Sequence, residues 1–101
     1  MPGKDIVIVF DCGATNVRVI AIDSRGRITA SESSPNNTKP DPFNAAWRIW
    51  DAHDIWTRMC DATGKVIAVT GTERIEGVTI TTFGVDGTLF DRSGKMLYPV
   101  I

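Results

Sequence analysis

The 101-residue chain has little of what would place it in several large classes of protein. Its two cysteines, Cys12 and Cys60, form neither a Cys-x-x-Cys pair nor a zinc-binding spacing. With 11 basic and 12 acidic residues the formal net charge is −1, and no cluster of lysine and arginine offers a nucleic acid an electrostatic footprint. No apolar run approaches the ~20 residues that span a bilayer, and the N-terminus has no signal-peptide pattern. We therefore expect a cytoplasmic protein that binds neither nucleic acid nor a membrane.

Composition adds only that this is one ordinary folded domain. Apolar residues make up 43% and charged residues 23% of the chain, close to the average for globular domains. The single histidine, His53, has no serine or metal-ligand spacing around it, so we expect a surface residue rather than a catalytic base. Cys12 lacks the local positive charge that a reactive thiolate needs, so we expect a small packed residue. The chemistry must come from other residue types.

Three strands are predicted in the first third of the chain, at residues 5–11, 17–22 and 28–33. The first is apolar without alternation, which is typical of a central strand covered on both faces. The third is more polar and suits a sheet edge. Three prolines with asparagine and aspartate follow at residues 34–42, and this composition predicts a connector without regular structure.

A helix and a fourth strand are predicted next. Apolar residues recur at spacings of three and four from residue 52 onward, which indicates an amphipathic helix with Asp51 as N-cap. Gly64 and Gly71 are the two candidate ends. A strand at residues 77–83 follows, and such a crossover normally runs parallel to the first strand. A last hairpin is predicted from residues 88–90 and 96–100. The predicted apolar stripe of the helix is Ile55, Trp56, Met59, Ala62, Thr63 and Val66.

The link between the first two strands carries an unusual density of polar groups. Gly13 lets the backbone approach a ligand, and Thr15, Asn16 and the N–H groups of the turn are donors suited to phosphate oxygens. Asp11, at the end of a buried strand, is suited to a hydrated Mg²⁺. The link therefore predicts a site for the phosphates of a nucleotide. The alternative is a turn whose polar side chains only satisfy local backbone groups.

Residues 11–18, with the pattern Asp-x-Gly-x-Thr-x-x-Arg, resemble the first phosphate loop of the actin, Hsp70 and sugar-kinase superfamily. Residues 81–101, which include the Phe-Gly-Val-Asp-Gly run at 83–87, resemble the FGGY carbohydrate kinases. The likeness spans nearly the whole chain and is loosest at 35–44 and 65–73. It implies an α/β, RNase H-like fold that begins βββαβ in a mixed sheet. It also implies that residues 1–101 are the N-terminal portion of the first domain of a longer enzyme.

The resemblance implies ATP and Mg²⁺ as cofactors and a small sugar as substrate. The implied reaction is phosphorylation of a 6-deoxy ketose, L-fuculose at its 1-hydroxyl. L-Rhamnulose, another ketose or a polyol stays an alternative, as do a non-catalytic sugar- or nucleotide-binding regulator and an Hsp70- or actin-like ATPase. The family's catalytic aspartate lies beyond Ile101, so no catalytic residue is assigned here and the isolated chain is expected to have negligible turnover. Self-association into a homo-oligomer is left open.

Four residues have a role implied by the resemblance and an ordinary alternative. Asp86, with Gly87, is implied to contact sugar hydroxyls, and the alternative is an Asp-Gly turn before a hairpin. Arg18 either offsets phosphate charge or is a strand residue paired with a carboxylate. Trp50 either faces the sugar or packs into the core. The three tryptophans near the helix start are expected to cluster, with burial in the core as their commoner fate; they are Trp47, Trp50 and Trp56.

Overall fold

In the described residues, alternating turn residues and apolar runs give six strands and one helix. The computed structural model describes residues 3–84 and 86–101. The elements are β1 (Ile6–Cys12), β2 (Asn16–Asp23), β3 (Ile28–Pro35), β4 (Lys39–Pro40), β5 (Arg48–Ile49), α1 (Ala52–Thr70) and β6 (Ile75–Thr81).

The main sheet has the strand order β3-β2-β1-β6. β1 pairs antiparallel with β2, and β2 pairs antiparallel with β3, so the predicted meander is confirmed. β6 returns after the helix and pairs parallel with β1, as a crossover connection predicts. The expectation that the polar third strand lies at an edge is also confirmed.

Helix α1 begins and ends at the predicted signals. The Asp51 carboxylate accepts a hydrogen bond from the Asp54 N–H at 3.0 Å, which satisfies one of the unpaired donors of the first turn. The helix continues through Gly64, so this candidate end was wrong, and it ends before Gly71, whose φ of 75° suits glycine. In the described residues, no helix combines the length and apolar character needed to cross a membrane.

The core lies between one face of the sheet and α1. One cluster joins β1, β2 and the end of the helix, and a second lies near the helix start. The opposite face of β1 carries Val7 and Val9, which are only half-buried, because α1 packs over β2 and β3 on one side. The expectation that β1 is covered on both faces was therefore wrong for the described part of the chain. The clusters comprise Ile6, Ile8, Val19, Ala21 and Val66, and Cys12, Val17, Trp50, Ile55 and Met59.

Two connecting regions differ from the sequence prediction. β3 continues to Pro35, and β4 pairs with β5, so residues 34–42 contain regular structure after all. Proline is tolerated there because both segments lie at sheet edges. The predicted final hairpin has no continuous strands, but its arms do pair: an antiparallel bridge joins Phe90 to Met96, and the Leu97 N–H donates to the Leu89 carbonyl at 2.9 Å.

Candidate functional site

Two polar turns that are far apart in sequence meet at one edge of the sheet. β1 and β6 are parallel neighbours, and Asp11 near the end of β1 pairs in register with Thr81 at the end of β6. Ligands of open α/β sheets bind beyond the carboxyl ends of such strands. The turn after β1 and the segment after β6 therefore border one region. Val85, in the Phe-Gly-Val-Asp-Gly run, lies outside the described residues.

The turn after β1, which we call the phosphate turn (residues 13–16), lines an open surface cavity of about 310 Å³. Its geometry is closed by the Gly13 N–H, which donates to the Asn16 carbonyl at 2.9 Å. A Cβ at Gly13 would lie 3.3 Å from that same carbonyl oxygen, closer than ordinary packing, so the tight turn favours glycine. The cavity brings together every residue predicted for the phosphate side: Asp11, Gly13, Thr15, Asn16 and Arg18, with Ala14.

Asp11 and Arg18 are direct partners across β1 and β2. The Arg18 Nε lies 4.0 Å from the Asp11 Oδ2, and the side chains are 45% and 41% exposed. A long, solvated pair of this kind contributes little to stability, so both groups stay accessible to a ligand. Arg18 thus has a carboxylate partner and also lines the cavity. Its position is compatible with both predicted roles, pairing with a carboxylate and offsetting phosphate charge.

The side chains that line this cavity suit Mg²⁺, which binds to few protein ligands, better than they suit a metal ion that needs several. In residues 3–84 and 86–101, no group of three or more histidine, cysteine, aspartate or glutamate side chains could hold a metal ion. Asp11 would supply a single carboxylate, and water or phosphate oxygens would complete the shell. Mg²⁺ is commonly held in this way because it dehydrates reluctantly.

Asp86 is anchored by Trp50, which lies just before helix α1. The Trp50 Nε1 donates to the Asp86 Oδ1 at 3.1 Å. The Trp50 ring is 9% exposed and stacks on Phe83 with centroids 4.4 Å apart. Trp50 is therefore both a packed residue and a wall of the site. Within the described chain, the Asp86 Oδ2 has no hydrogen-bond donor, so it is free to accept from a ligand.

A cleft of about 390 Å³ surrounds this pair, and its walls are largely apolar. Cys12 lines its floor, directly after Asp11 of the other cavity. All three residues predicted for the sugar side line this cleft: Trp50, Asp86 and Gly87. The polar lining groups are Thr82, Asp86, Gly87 and Thr88, and the apolar ones include Trp50, Trp56, Ile80, Phe83, Phe90 and Val100.

For the other candidate residues, some predictions of exposure or burial are confirmed and others were wrong. His53 is exposed at the helix start and Cys12 is buried, as predicted. Trp47 and Trp56 are 63% and 59% exposed, so the expected burial in the core was wrong for both. Trp56 follows the buried Ile55, and one residue rotates the side chain about 100° away from the core-facing stripe. Trp47 lies in the β4–β5 loop, outside the helix altogether.

Sequence reasoning missed Asn36, a buried polar residue behind the phosphate turn. Its side chain donates to the Gly13 carbonyl at 2.9 Å, and its backbone N–H donates to the Thr15 carbonyl at 2.8 Å. The segment was interpreted as a connector because of its prolines. Nothing local distinguishes Asn36 from the exposed Asn37 beside it. The only available signal was that the segment follows a strand paired with β2.

Sheet order, parallel crossover and polar turns beyond β1 and β6 define the start of the sugar-kinase fold, a branch of the actin-like fold. A solved glycerol kinase from Plasmodium falciparum, determined with ADP, matches with a TM-score of 0.73. The match covers 100% of this chain and 21% of that chain at 20% identity, so it shows the fold alone.

Sequence comparison shows the family to which the chain belongs. The N-terminal domain of the FGGY family of carbohydrate kinases matches residues 6–101, and the chain belongs to this family. It is 44% identical to the L-fuculokinase of Salmonella typhi over 98 residues, covering 97% of this chain and 21% of that enzyme. It is 30% identical to the apulose kinase of Pectobacterium atrosepticum over 98 residues, covering 95% and 19%. The chain thus spans about a fifth of the length of these relatives. The resemblance found in the sequence is confirmed.

Proposed function

We propose that the chain is the N-terminal portion of an ATP-dependent kinase that phosphorylates a 6-deoxy ketose, L-fuculose at its 1-hydroxyl. The observation that carries this proposal is the meeting of the phosphate turn and Asp86 beyond the carboxyl ends of β1 and β6. The choice of sugar is supported by the higher identity to an L-fuculokinase, 44%, than to an apulose kinase, 30%.

On the phosphate side, the turn supplies donors and charge. The hydroxyl of Thr15, the side-chain amide of Asn16 and the N–H groups of Ala14 and Asn16 bind phosphate oxygens, and Gly13 admits them close to the backbone. Arg18 offsets their negative charge. Asp11 would hold Mg²⁺, which when bound would neutralise charge on the phosphates. Positioning and electrostatic stabilisation do most of the work in phosphoryl transfer, and these residues supply both.

On the sugar side, Asp86 is the discriminating group. Its Oδ1 is fixed by the Trp50 indole, so the carboxylate presents its other oxygen to the sugar hydroxyls in one orientation. A buried or oriented acceptor left unpaired by an epimer lowers the rate for that epimer. Trp50 and Phe83 provide a flat apolar wall, and Gly87 adds no side chain beside the carboxylate.

No general base is assigned to the chain. The proton of the attacking hydroxyl passes to an aspartate that the family resemblance implies beyond Ile101, and Asp86 is not given this role. The isolated 101-residue chain is accordingly expected to show negligible turnover, which an ADP-release assay on the purified chain would check. A cytoplasmic location and self-association stay predictions.

The decisive experiment measures ADP release by the intact protein with a panel of acceptors: L-fuculose, L-rhamnulose and glycerol. We expect the highest kcat/KM with L-fuculose. A higher value for another acceptor would overturn the choice of sugar while keeping the kinase. Binding of sugar and nucleotide without ADP release would favour the regulator alternative instead.

A further inference from the structure

The phosphate turn is held from behind by a buried amide that the proposed function does not use. Asn36 is 3% exposed and makes three hydrogen bonds. Its backbone N–H donates to the Thr15 carbonyl, its Nδ2 donates to the Gly13 carbonyl, and its Oδ1 accepts from the Arg58 Nη2 at 3.0 Å. Two of the carbonyl groups of the turn are thereby tied to the protein interior.

Arg58 connects this amide to the helix. Its Nε donates to Asp54 at 3.1 Å within α1, and its Nη1 donates to the Ser34 hydroxyl at 2.9 Å and the Pro35 carbonyl at 2.7 Å. The Asn36 Oδ1 therefore has a fixed donor, and the amide cannot rotate without breaking two hydrogen bonds. A guanidinium suits this position because its planar fork donates to several acceptors at once.

The orientation of two peptide units follows from these contacts. A trans peptide is planar, with its N–H directed opposite to its carbonyl, and the described residues contain no cis peptide bond. Because the Gly13 and Thr15 carbonyls point to Asn36, the N–H groups of Ala14 and Asn16 point away from it. Both residues line the cavity of the phosphate turn.

We propose that Asn36, held by Arg58, is a positioning residue that orients the N–H groups of the phosphate turn toward the phosphates of the nucleotide. This inference rests on the proposed function. Asn36 touches no nucleotide itself. Its effect must therefore appear on the nucleotide side of the reaction and leave the sugar side, which is built on Trp50 and Asp86, unchanged.

The test is Mg·ADP binding to the intact protein by calorimetry, together with the KM values for ATP and for the best acceptor sugar. Asn36→Asp keeps the shape and the acceptor for Arg58 but loses the donor to the Gly13 carbonyl. We expect about a tenfold rise in the Kd for Mg·ADP, the effect of one lost buried hydrogen bond. The KM for ATP should rise with it, and the KM for the sugar should stay unchanged.

Asn37→Asp is the matched control, since it adds the same negative charge at the exposed neighbour, and it should bind Mg·ADP like the wild type. Arg58→Lys is the second variant: it keeps the positive charge but loses the fork, and should raise the Kd for Mg·ADP while leaving the KM for the sugar unchanged. If Asn36→Asp does not fold, Arg58→Lys decides by the same criterion.

The outcomes separate this inference from the proposed function. Wild-type protein that binds no Mg·ADP would overturn both. Wild-type binding that Asn36→Asp leaves unchanged would overturn this inference alone. An equal rise in both KM values would also overturn it, because Asn36 would then support the fold in general rather than the phosphate turn.

Discussion

The two halves of the candidate site are held in different ways. The phosphate turn lies between two buried strand residues, Cys12 and Val17, and is tied from behind by Asn36. The segment after β6 is tied to the rest of the chain through Trp50: the indole donates to Asp86, the backbone N–H donates to the Val100 carbonyl at 2.8 Å, and the ring stacks on Phe83. Four of its large apolar side chains stay exposed in the described chain: Leu89, Phe90, Leu97 and Tyr98.

The difference indicates that the nucleotide half is shaped by the core of this chain, and the sugar half by the Trp50–Phe83 stack and a few polar contacts. Apolar burial stabilises in proportion to the area removed from water, and the segment after β6 removes little. Regions with few buried contacts open at low free-energy cost. We therefore expect substitutions on the two sides to act separately.

The largest expected effect is on the nucleotide half. Asp11→Asn in the intact protein should lower kcat at least about a hundredfold, because a bound metal contributes several kcal/mol of charge stabilisation and Asp11 is its proposed ligand. The KM for the sugar should stay unchanged. Asp61→Asn, the same change on an exposed face of α1, is the control. A parallel loss of sugar affinity in Asp11→Asn would break the separation of the two halves.

The converse variant is Asp86→Asn. The amide can still accept from the Trp50 indole but offers the sugar a weaker, uncharged partner. Since hydrogen bonds to charged groups contribute about 1.5–3 kcal/mol, we expect kcat/KM for the sugar to fall about 10- to 100-fold. The KM for ATP should not change. Asp91→Asn, outside the cleft in the same segment, should leave sugar kinetics as in the wild type.

Much of the fold could be predicted because its signals are local. The unbroken apolar run of β1, the polar edge strand and the Asp51 cap each follow from a few neighbouring residues. The phosphate turn was predicted for the same reason: residues that bind phosphate stand within one short link.

What could not be predicted depends on partners distant in sequence. The Asn36 contact to Gly13 spans 23 positions and the Trp50 contact to Asp86 spans 36. Hydrophobicity alone does not predict that Trp50 contacts a carboxylate. Nor does it predict that Trp56 lies one position away from the buried stripe of the helix. Exposure of Trp56 and burial of Asn36 are set by how α1 lies on the sheet, which no local pattern encodes.

A smaller effect is expected from the contact that joins the core to the sugar half. Trp50→Phe keeps the stacking on Phe83 but removes the donor to Asp86. The acceptor is a carboxylate at an exposed residue, where solvent weakens the bond to a net contribution of about 1 kcal/mol, so the KM for the sugar should rise about fivefold. Trp47→Phe, in the exposed β4–β5 loop, is the matched control. An unchanged KM would mean that Asp86 is oriented without the indole.

The smallest expected effect is on the pH dependence of Tm. It is predicted for two turns that have the same hydrogen-bond pattern but differ in burial. In Asp23-Ser24-Arg25-Gly26-Arg27 and in Asp91-Arg92-Ser93-Gly94-Lys95, the first carboxylate accepts two backbone N–H bonds at 2.9 Å. The Asp23 side chain is 3% exposed, whereas Asp91 is exposed. The Arg27 N–H holds the pKa of Asp23 below its usual value, and the Ser93 hydroxyl does so for the pKa of Asp91.

A lowered pKa in the folded state stabilises the fold above the unfolded-state value of 3.8, and this stabilisation is lost as the pH falls through the lowered pKa. Asp23→Asn should therefore lower Tm at about pH 7, and its difference from the wild type should shrink as the pH falls through the lowered pKa of Asp23. Asp91→Asn should show the same trend with a smaller shift, because solvent screens its charge. Thermal unfolding followed by circular dichroism across this range checks both. Equal shifts for the two variants would mean that the local turn, and not its burial, sets the stability of each region.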